Sequence, residues 1–295
     1  MHGQGPHRRQ QGIALLIVLW LVALLGTIAG SYLYMVRTET GVVGNLLAVA
    51  QARAAAEAGV HLAAFRLLSA EREHRWRTDG SVYRVPFADA QLRIALSQEA
   101  GRIDLNGARP ALLDGMLASA GVGEDRRAAV VDAIVDWRDP DELGRLHGAE
   151  RTAYEAAGRS YGPRNGPFQG AEELALVLGI TPEVYRRLAP IVTVYTGAAG
   201  LDPSVATRPA LLAQPGMDPA RVDAFLAQRS VAATSALPDG PLRIQVEAEA
   251  RGARLQLAAV VRLTAVPKPG QDPVTVLAWL PDAAFPNPDR PGGDE

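Results

Sequence analysis

From Ile13 to Val36 the chain reads IALLIVLWLVALLGTIAGSYLYMV, with no charged side chain anywhere in the run. As a helix these residues would extend roughly 36 Å, enough to cross a hydrocarbon core of about 30 Å. The only charges before the run are Arg8 and Arg9, so the positive-inside bias keeps residues 1–12 cytoplasmic and sends everything after residue 36 across the membrane. A cleaved secretory signal is the alternative, but it calls for a shorter apolar region ending in an A-x-A-like site. The other 250 or so residues are not greasy: mean hydropathy over the whole chain is +0.01 and 21% of residues are charged, which excludes a polytopic membrane protein and a disordered one alike. Thirty basic residues against 32 acidic ones leave a net charge of −2, so no global field draws the body to nucleic acid or anionic lipid. The absence of cysteine removes disulfides, thiolate chemistry and cysteine-zinc sites together.

Past Val36 the apolar residues thin into a stripe. Val42, Leu46, Val49, Ala56, Val60, Ala63 and Leu67 recur every three or four positions where they cluster, with Arg53, Glu57 and Arg66 between them, which predicts an amphipathic stalk helix over residues 37–75. Gly26, Gly30, Gly41 and Gly44 are either softening points or close-packing sites. The Gln11-Gly12-Ile13 junction behind a short basic leader resembles a prepilin peptidase site. That resemblance implies cleavage after Gly12, methylation of the new Ile13 terminus and a shift of net charge from −2 to −4 as Arg8 and Arg9 leave. A helix that starts apolar and turns amphipathic is similar to the stalk of type IV pilins. Most of those carry glutamate at the fifth mature position, where this chain has Ile17; a subunit with no neighbour above it can dispense with that carboxylate, which would be costly in lipid unless paired. Ile17 as one more residue of an ordinary anchor is the other reading.

Alternation of apolar and polar residues predicts strands at Ser81–Val85 and Ala90–Ser97 around a turn bearing Pro86. Further strands are expected at 242–248 and 255–261, across Arg251-Gly252, and at Val274–Trp279. The interval between the two groups reads as almost wholly helical. The expected class is therefore α+β: a pilin-like N-terminal helix and an antiparallel sheet (residues 76–101 and 235–280) with a large α-helical insert at 102–234. The tail, 281–295, is rich in Pro, Asp and Gly and reads as disordered. Within the insert, Arg109-Pro-Ala-Leu-Leu113 recurs as Arg208-Pro-Ala-Leu-Leu212, and glycine-centred turns at Gly121, Gly179 and Gly216 give helix-hairpin-helix-like repeats. Such hairpins often bind DNA phosphates, but here acids follow them directly: Glu124-Asp125, Glu183 and Asp218. Arg126, Arg127, Arg186 and Arg221 stand slightly further on.

The densest acidic run is Asp136-Trp-Arg-Asp-Pro-Asp-Glu142, with Glu150 soon after. Asp136, Asp139 and Asp141 could offer oxygens to a hard cation from one irregular loop set by Pro140, although the spacing is not that of an EF-hand. A solvated acidic loop is the competing reading. Catalysis finds little footing: His2, His7, His61, His74 and His147 show no metal-ligand spacing and there is no G-x-S-x-G elbow. Asp136 and Glu150 as paired carboxylates of an anchored hydrolase lack any nameable substrate site.

The junction at Gly12, the apolar Ile17, Gly101-Arg-Ile-Asp-Leu-Asn106, Ile134-Val-Asp-Trp-Arg-Asp139, Gly148-Ala-Glu150 and Tyr161-Gly-Pro-Arg-Asn-Gly-Pro-Phe168 together resemble the minor pseudopilin K family of type II secretion systems. The likeness spans nearly the whole chain apart from the tail. It implies a subunit at the tip of a short periplasmic pseudopilus, anchored in inner-membrane lipid, processed by prepilin peptidase, and assembled with minor pseudopilins I and J and other pseudopilins. Its role would be to initiate assembly and help export folded proteins, with secreted proteins as further contacts and nucleic acid outside the expected set. It also implies calcium, with Asp136, Asp139, Asp141 and Glu150 as candidate ligands. Partner contacts are expected on the stalk at Val60, Ala63 and Leu67. In the second repeat, Pro203 and Ser204 stand where such sequences often carry asparagine. The alternative is a membrane-anchored helix-hairpin-helix DNA-binding protein of a DNA-uptake pilus.

Overall fold

In the computed structural model, which describes residues 11–69, 71, 74–229, 238–281 and 285, the apolar run and the amphipathic stripe form one unbroken helix, α1 (Gln11–Leu68). The expected leader at residues 1–10 lies outside the described residues. Ala14–Tyr32, with a mean hydropathy of 2.4, is long and apolar enough to cross a membrane, and among the described residues nothing covers it. The helix ends at Leu68 rather than near residue 75, and the Arg75 guanidinium turns back to donate to the Ser69 carbonyl at 2.7 Å.

Five antiparallel strands follow in the order β1 (Asp79–Phe87), β2 (Ala90–Gln98), β5 (Leu242–Ala250), β6 (Ala253–Leu263) and β7 (Val274–Pro281). Pro86 is not in the turn. It lies inside β1 opposite Gln91, a place open to proline because β1 is an edge strand whose outward N–H needs no partner. The turn falls at Ala88–Asp89 instead, with Ala88 at φ +49°. Arg251 and Gly252 carry positive φ (+48° and +81°) between β5 and β6, the twist a two-residue hairpin demands. β7 runs to Pro281, which pairs with Leu257, so the first residue assigned to the tail belongs to the sheet. Phe285 also reaches it: its N–H donates to Gln256 at 3.3 Å and its ring lies 4.8 Å from the Arg93 guanidinium.

One face of this sheet closes on the stalk. Ala52, Ala56, Val60, Ala63 and Leu67 pack against Leu92, Ile94, Leu96, Ile244, Val246 and Ala259. Val60, Ala63 and Leu67, expected as partner contacts, are thus the chain's own core, exposed by 0%, 0% and 2%. Truncating a buried leucine of this kind costs about 2 to 5 kcal/mol, so variants there report on folding. The stripe divides instead: Val42, Leu46 and Val49 remain exposed while its later residues are buried. Close packing falls on a glycine outside the expected set. A Cβ on Gly59 would stand 2.9 Å from Val246 Cγ1, whereas Gly26, Gly30 and Gly44 have nothing within 4 Å.

The insert leaves the sheet at Gln98 and returns at Leu242, which face each other across β2 and β5. It has its own core, separate from the stalk-sheet core, and it is less helical than its sequence suggests. Its elements are β3 (Ile103–Asp104), α2 (Pro110–Ser119), α3 (Glu124–Arg138), α4 (Arg151–Ala156), a 3-10 turn (Ala171–Leu176), α5 (Pro182–Leu188), β4 (Val192–Thr193), α6 (Arg208–Leu212) and α7 (Pro219–Gln228), with long loops at 139–150 and 157–170. β3 and β4 form a two-residue parallel ladder. The three hairpin glycines have φ of +84°, +86° and +79° at Gly121, Gly179 and Gly216, the left-handed conformation that glycine adopts without a Cβ penalty.

Candidate functional site

The ladder at β3 is organised by one carboxylate. Asp104 Oδ1 accepts from the Asn106 and Gly107 amides at 2.8 and 3.0 Å, and Oδ2 accepts from the Thr196 amide, its hydroxyl and the Gly197 amide at 2.8–2.9 Å. Asn106 then clamps the following loop: its Oδ1 accepts from Phe168 N at 2.7 Å and its Nδ2 donates to Phe168 O at 3.0 Å. In the second repeat the Asp202 side chain makes only the local turn, to Ser204 N and Oγ at 2.9 and 2.7 Å. The Asn-to-Ser departure between the repeats therefore matches a loop that the Asn106 side chain holds across 62 residues and a Ser204 side chain that bonds only within its own turn.

Arg164 and Glu173 hold that loop from the other side. The guanidinium donates through Nε and Nη2 at 2.7 and 2.8 Å, and Gln169 N and Trp137 Nε1 donate to the same carboxylate at 3.1 and 3.3 Å. Burial alone would raise the Glu173 pKa, but these donors outweigh it and hold the carboxyl below its usual range. Trp137 stacks on Phe168 with ring centroids 5.9 Å apart.

Around this frame lie the acids singled out in sequence, differently placed. Asp136 belongs to helix α3, not to a loop, and is fully buried. Its Oδ2 accepts from Ala149 N at 2.9 Å and Arg145 N at 3.3 Å, so the 139–150 loop folds back onto it; a side chain on Gly148 would collide with that oxygen. No hydrogen-bond donor reaches Asp136 Oδ1, Asp139 Oδ1, either oxygen of Glu150, or Asn165 Oδ1, all of them buried atoms. Burial raises the pKa of Asp136, against the two amides that lower it, and Asp139 adds to the rise. Burial and then Asp141 raise Asp139; burial and then Asp136, Asp139, Asp141 and Glu142 raise Glu150. Asp141 itself is exposed and accepts from Leu143 N at 2.9 Å, outside the set of orphaned oxygens. Asn165, which stands out in sequence only as part of Tyr161–Phe168, is inside it.

Buried oxygens without donors, on carboxylates that repel one another, are what a hard cation relieves, and an oxygen-only donor set suits calcium. Asp136, Asp139 and Glu150 match such an ion in donor type only. As they stand, no three His, Asp or Glu side chains among the described residues are grouped so that they could hold a metal ion.

The hairpins are turned to structural use. Asp218 N-caps α7 by accepting from Arg221 N at 2.9 Å, Thr181 N-caps α5, and Glu124 and Asp125 occupy the first turn of α3. Of the arginines beside the hairpins, Arg127 is engaged with Asp114, Arg221 with Gly216 O and Arg187 with Ala120 O and Glu183, while Arg126 and Arg186 are exposed. A phosphate at these turns would have to displace those contacts.

An apolar helix continuing into a stalk that packs on an antiparallel sheet, with a separate helical core inserted between two central strands, defines a pilin-like subunit with an inserted helical domain. Comparison with known proteins narrows the class. Residues 94–197 match the family model described as type II secretion system (T2SS), protein K. Type II secretion system protein K of Pseudomonas aeruginosa is 28% identical over 73% of this chain and 71% of its own length. That of Klebsiella pneumoniae is 31% identical over 63% of each, so the chain spans about two thirds of the length of these relatives. A chain in the crystal structure of the GspK–GspI–GspJ complex from the enterotoxigenic Escherichia coli type 2 secretion system shares the fold, with a TM-score of 0.60 over 80% of this chain and 97% of that one at 16% identity. Over the matched stretches this chain is similar to type II secretion system protein K.

Glu173 yields a prediction with a definite sign. A carboxyl whose folded pKa lies below its unfolded value, near 4.3, stabilises above that value and loses the contribution as pH falls through the folded one. Glu173→Gln should therefore lower the Tm by roughly 5 °C at pH 7, and the gap to the unmodified chain should close below about pH 4. Thermal melts across that range check it.

Proposed function

We propose that this chain is the tip subunit of a type II secretion pseudopilus. In this reading residues 13–36 anchor it in the inner membrane with its body in the periplasm, where it joins pseudopilins I and J to begin assembly and help export folded proteins. The observation that carries the proposal is Ile17, an exposed apolar residue in the charge-free segment of α1 at the position where subunits of a shaft carry the carboxylate that meets a neighbour. Bulk supports the same reading. An insert of about 130 residues is itself the size of a domain, and a second subunit stacked above it would have to find room for it. The family's name and the complex formed by the solved relative supply the partners proposed here. The DNA-uptake alternative is disfavoured by the acids at each hairpin, and Arg127 and Arg221 are already bonded within the chain.

The reading includes calcium, held by Asp136, Asp139 and Glu150 at the end of α3 and the end of the 139–150 loop. When bound, the ion would add positive charge beside oxygens whose one ion-pair partner among the described residues is the Arg145 guanidinium, 3.8 Å from Asp136 Oδ1. Asp136 is positioned for this by the amides of Arg145 and Ala149, which draw the loop onto the helix.

Two measurements test the reading. In isolated pseudopili, quantitative mass spectrometry should find about one copy of this chain per filament, whatever the filament length; a copy number that scales with the major pseudopilin would overturn tip placement, and tight, salt-sensitive DNA binding would favour the alternative. In thermal melts, calcium at about 100 times its Kd should stabilise the chain by roughly 2.7 kcal/mol over chelator, and Asp139→Ala with Glu150→Ala should remove the difference. Equal melting temperatures in calcium and in chelator would leave the acids merely internal.

A further inference from the structure

The chain has four asparagines, and two of them precede glycine: Asn106-Gly107 and Asn165-Gly166. Of the others, Asn45 precedes Leu46, and Asn287 precedes Pro288, whose nitrogen carries no hydrogen. A glycine in second place leaves the backbone nitrogen free of any side chain as it turns onto the neighbouring amide carbon, so these pairs close a ring most readily. Both lie in the insert, and both belong to the frame around Phe168. Asn106 is bonded to the Phe168 N–H and carbonyl at 2.7 and 3.0 Å, and Asn165 stands just ahead of Phe168 in the same loop.

In each pair the glycine nitrogen, the atom that would attack, is already engaged. Gly107 N donates to Asp104 Oδ1 at 3.0 Å, and a Cβ on Gly107 would stand 2.4 Å from Gly197 O, so this peptide has no room to turn. Gly166 N donates to Trp137 O at 3.3 Å, but a Cβ on Gly166 would meet nothing nearer than Arg164 Cγ at 3.9 Å, and no hydrogen bond holds Asn165 Oδ1. We propose that Asn106 and Asn165 are latent deamidation sites that the fold keeps closed, Asn106 more tightly than Asn165. When the segment opens, the glycine nitrogen gives up its proton and bonds to the asparagine Cγ. The Cγ–Nδ2 bond breaks, Nδ2 leaves with that proton as ammonia, and a succinimide remains. Water then adds to one of the two ring carbonyls and opens the ring to aspartate or isoaspartate, with nothing oxidised or reduced. At position 106 the change is one-way in its effect. The Nδ2 that donated to the Phe168 carbonyl gives way to a carboxylate oxygen, so two acceptors face each other with no hydrogen between them, and Asp104 supplies a second negative charge close by. A chain whose insert opens in this way cannot remake the clamp, and the loop it releases carries Asn165.

The full chain in detergent micelles would be held at mildly alkaline pH, folded or in guanidinium chloride, with conversion at each asparagine read by peptide mass spectrometry. Denatured, the two Asn-Gly pairs should convert at similar rates and well ahead of Asn45. Folded, both should slow by at least about tenfold, the factor set by an opening that costs about 1.4 kcal/mol, and Asn165 should lead Asn106. Asn106→Asp, which installs one product in advance, should raise the folded-state rate at Asn165 several-fold without changing the denatured rate. Equal folded and denatured rates would overturn the protection, and Asn106 converting ahead of Asn165 in the folded chain would overturn the ranking. Denatured Asn-Gly pairs no faster than Asn45 would remove the sites themselves. Should Asn106→Asp fail to fold, the comparison of folded with denatured unmodified chain still decides.

Discussion

Everything in this protein hangs on one helix having to satisfy two surroundings in succession. Its first part presents leucine, isoleucine, valine and tryptophan outward on every side, and its last part buries a narrow stripe of small residues on the sheet. Alanine at positions 52, 56 and 63, with Gly59 between, lets the helix backbone come close enough for Leu92, Ile94 and Val246 to interlock with it. Packing of that kind tolerates little extra volume, since added methylenes in a filled core cost about 1 to 3 kcal/mol. Because α1 is unbroken from Gln11 to Leu68, the sheet is held rigidly at the end of the apolar segment, and whatever the sheet carries is held with it.

What the sheet carries is the insert, and the joint between them is ionic. Glu99, fully buried just beyond β2, receives Arg243 Nε from β5 at 2.7 Å, and Arg102 Nε lies 3.5 Å away. Burial first, and then the neighbouring Arg243, push the Arg102 pKa down to about 10 even though Glu99 opposes the fall. Removing one member of such a group leaves a buried charge uncompensated, a loss of about 3 to 5 kcal/mol in comparable sites. Arg102 also donates to the Pro190 carbonyl, and Asp202 N bonds Ala100 O at 2.7 Å, so both repeats of the insert are fastened at the point where the chain leaves the sheet. The result is two cores with a stiff connection rather than two domains on a linker.

Much of this was readable from residue order. Alternation marked the strands, and the Arg-Pro-Ala-Leu-Leu repeat with its glycine turns marked the hairpins, because period and backbone freedom are local properties. The misses share a cause in long-range contact. Val60, Ala63 and Leu67 form an apolar stripe whether they face a partner or the chain's own sheet, and only the position of β2 and β5 decides between the two. Pro86 suggested a turn because its edge location depends on which strands pair. Asp136 looked like a loop acid because helix α3 runs on through an acidic stretch, and Asn165 stood out only as part of Tyr161–Phe168, its buried Oδ1 being a product of the fold. An asparagine followed by glycine hints at a left-handed backbone, and that was the one signal available for it.

Tip assembly depends most on the mature chain beginning where the apolar run begins, at Ile13. If the chain is assembled as a pilin-like subunit, its mature amino terminus is Ile13, freed by cleavage after Gly12. Mass spectrometry of the chain recovered from inner membranes should then return an N-terminal peptide starting at Ile13 and carrying one methyl group, with residues 1–12 gone. A chain that retains Met1, or that is cut within the apolar run near Gly30, would contradict it.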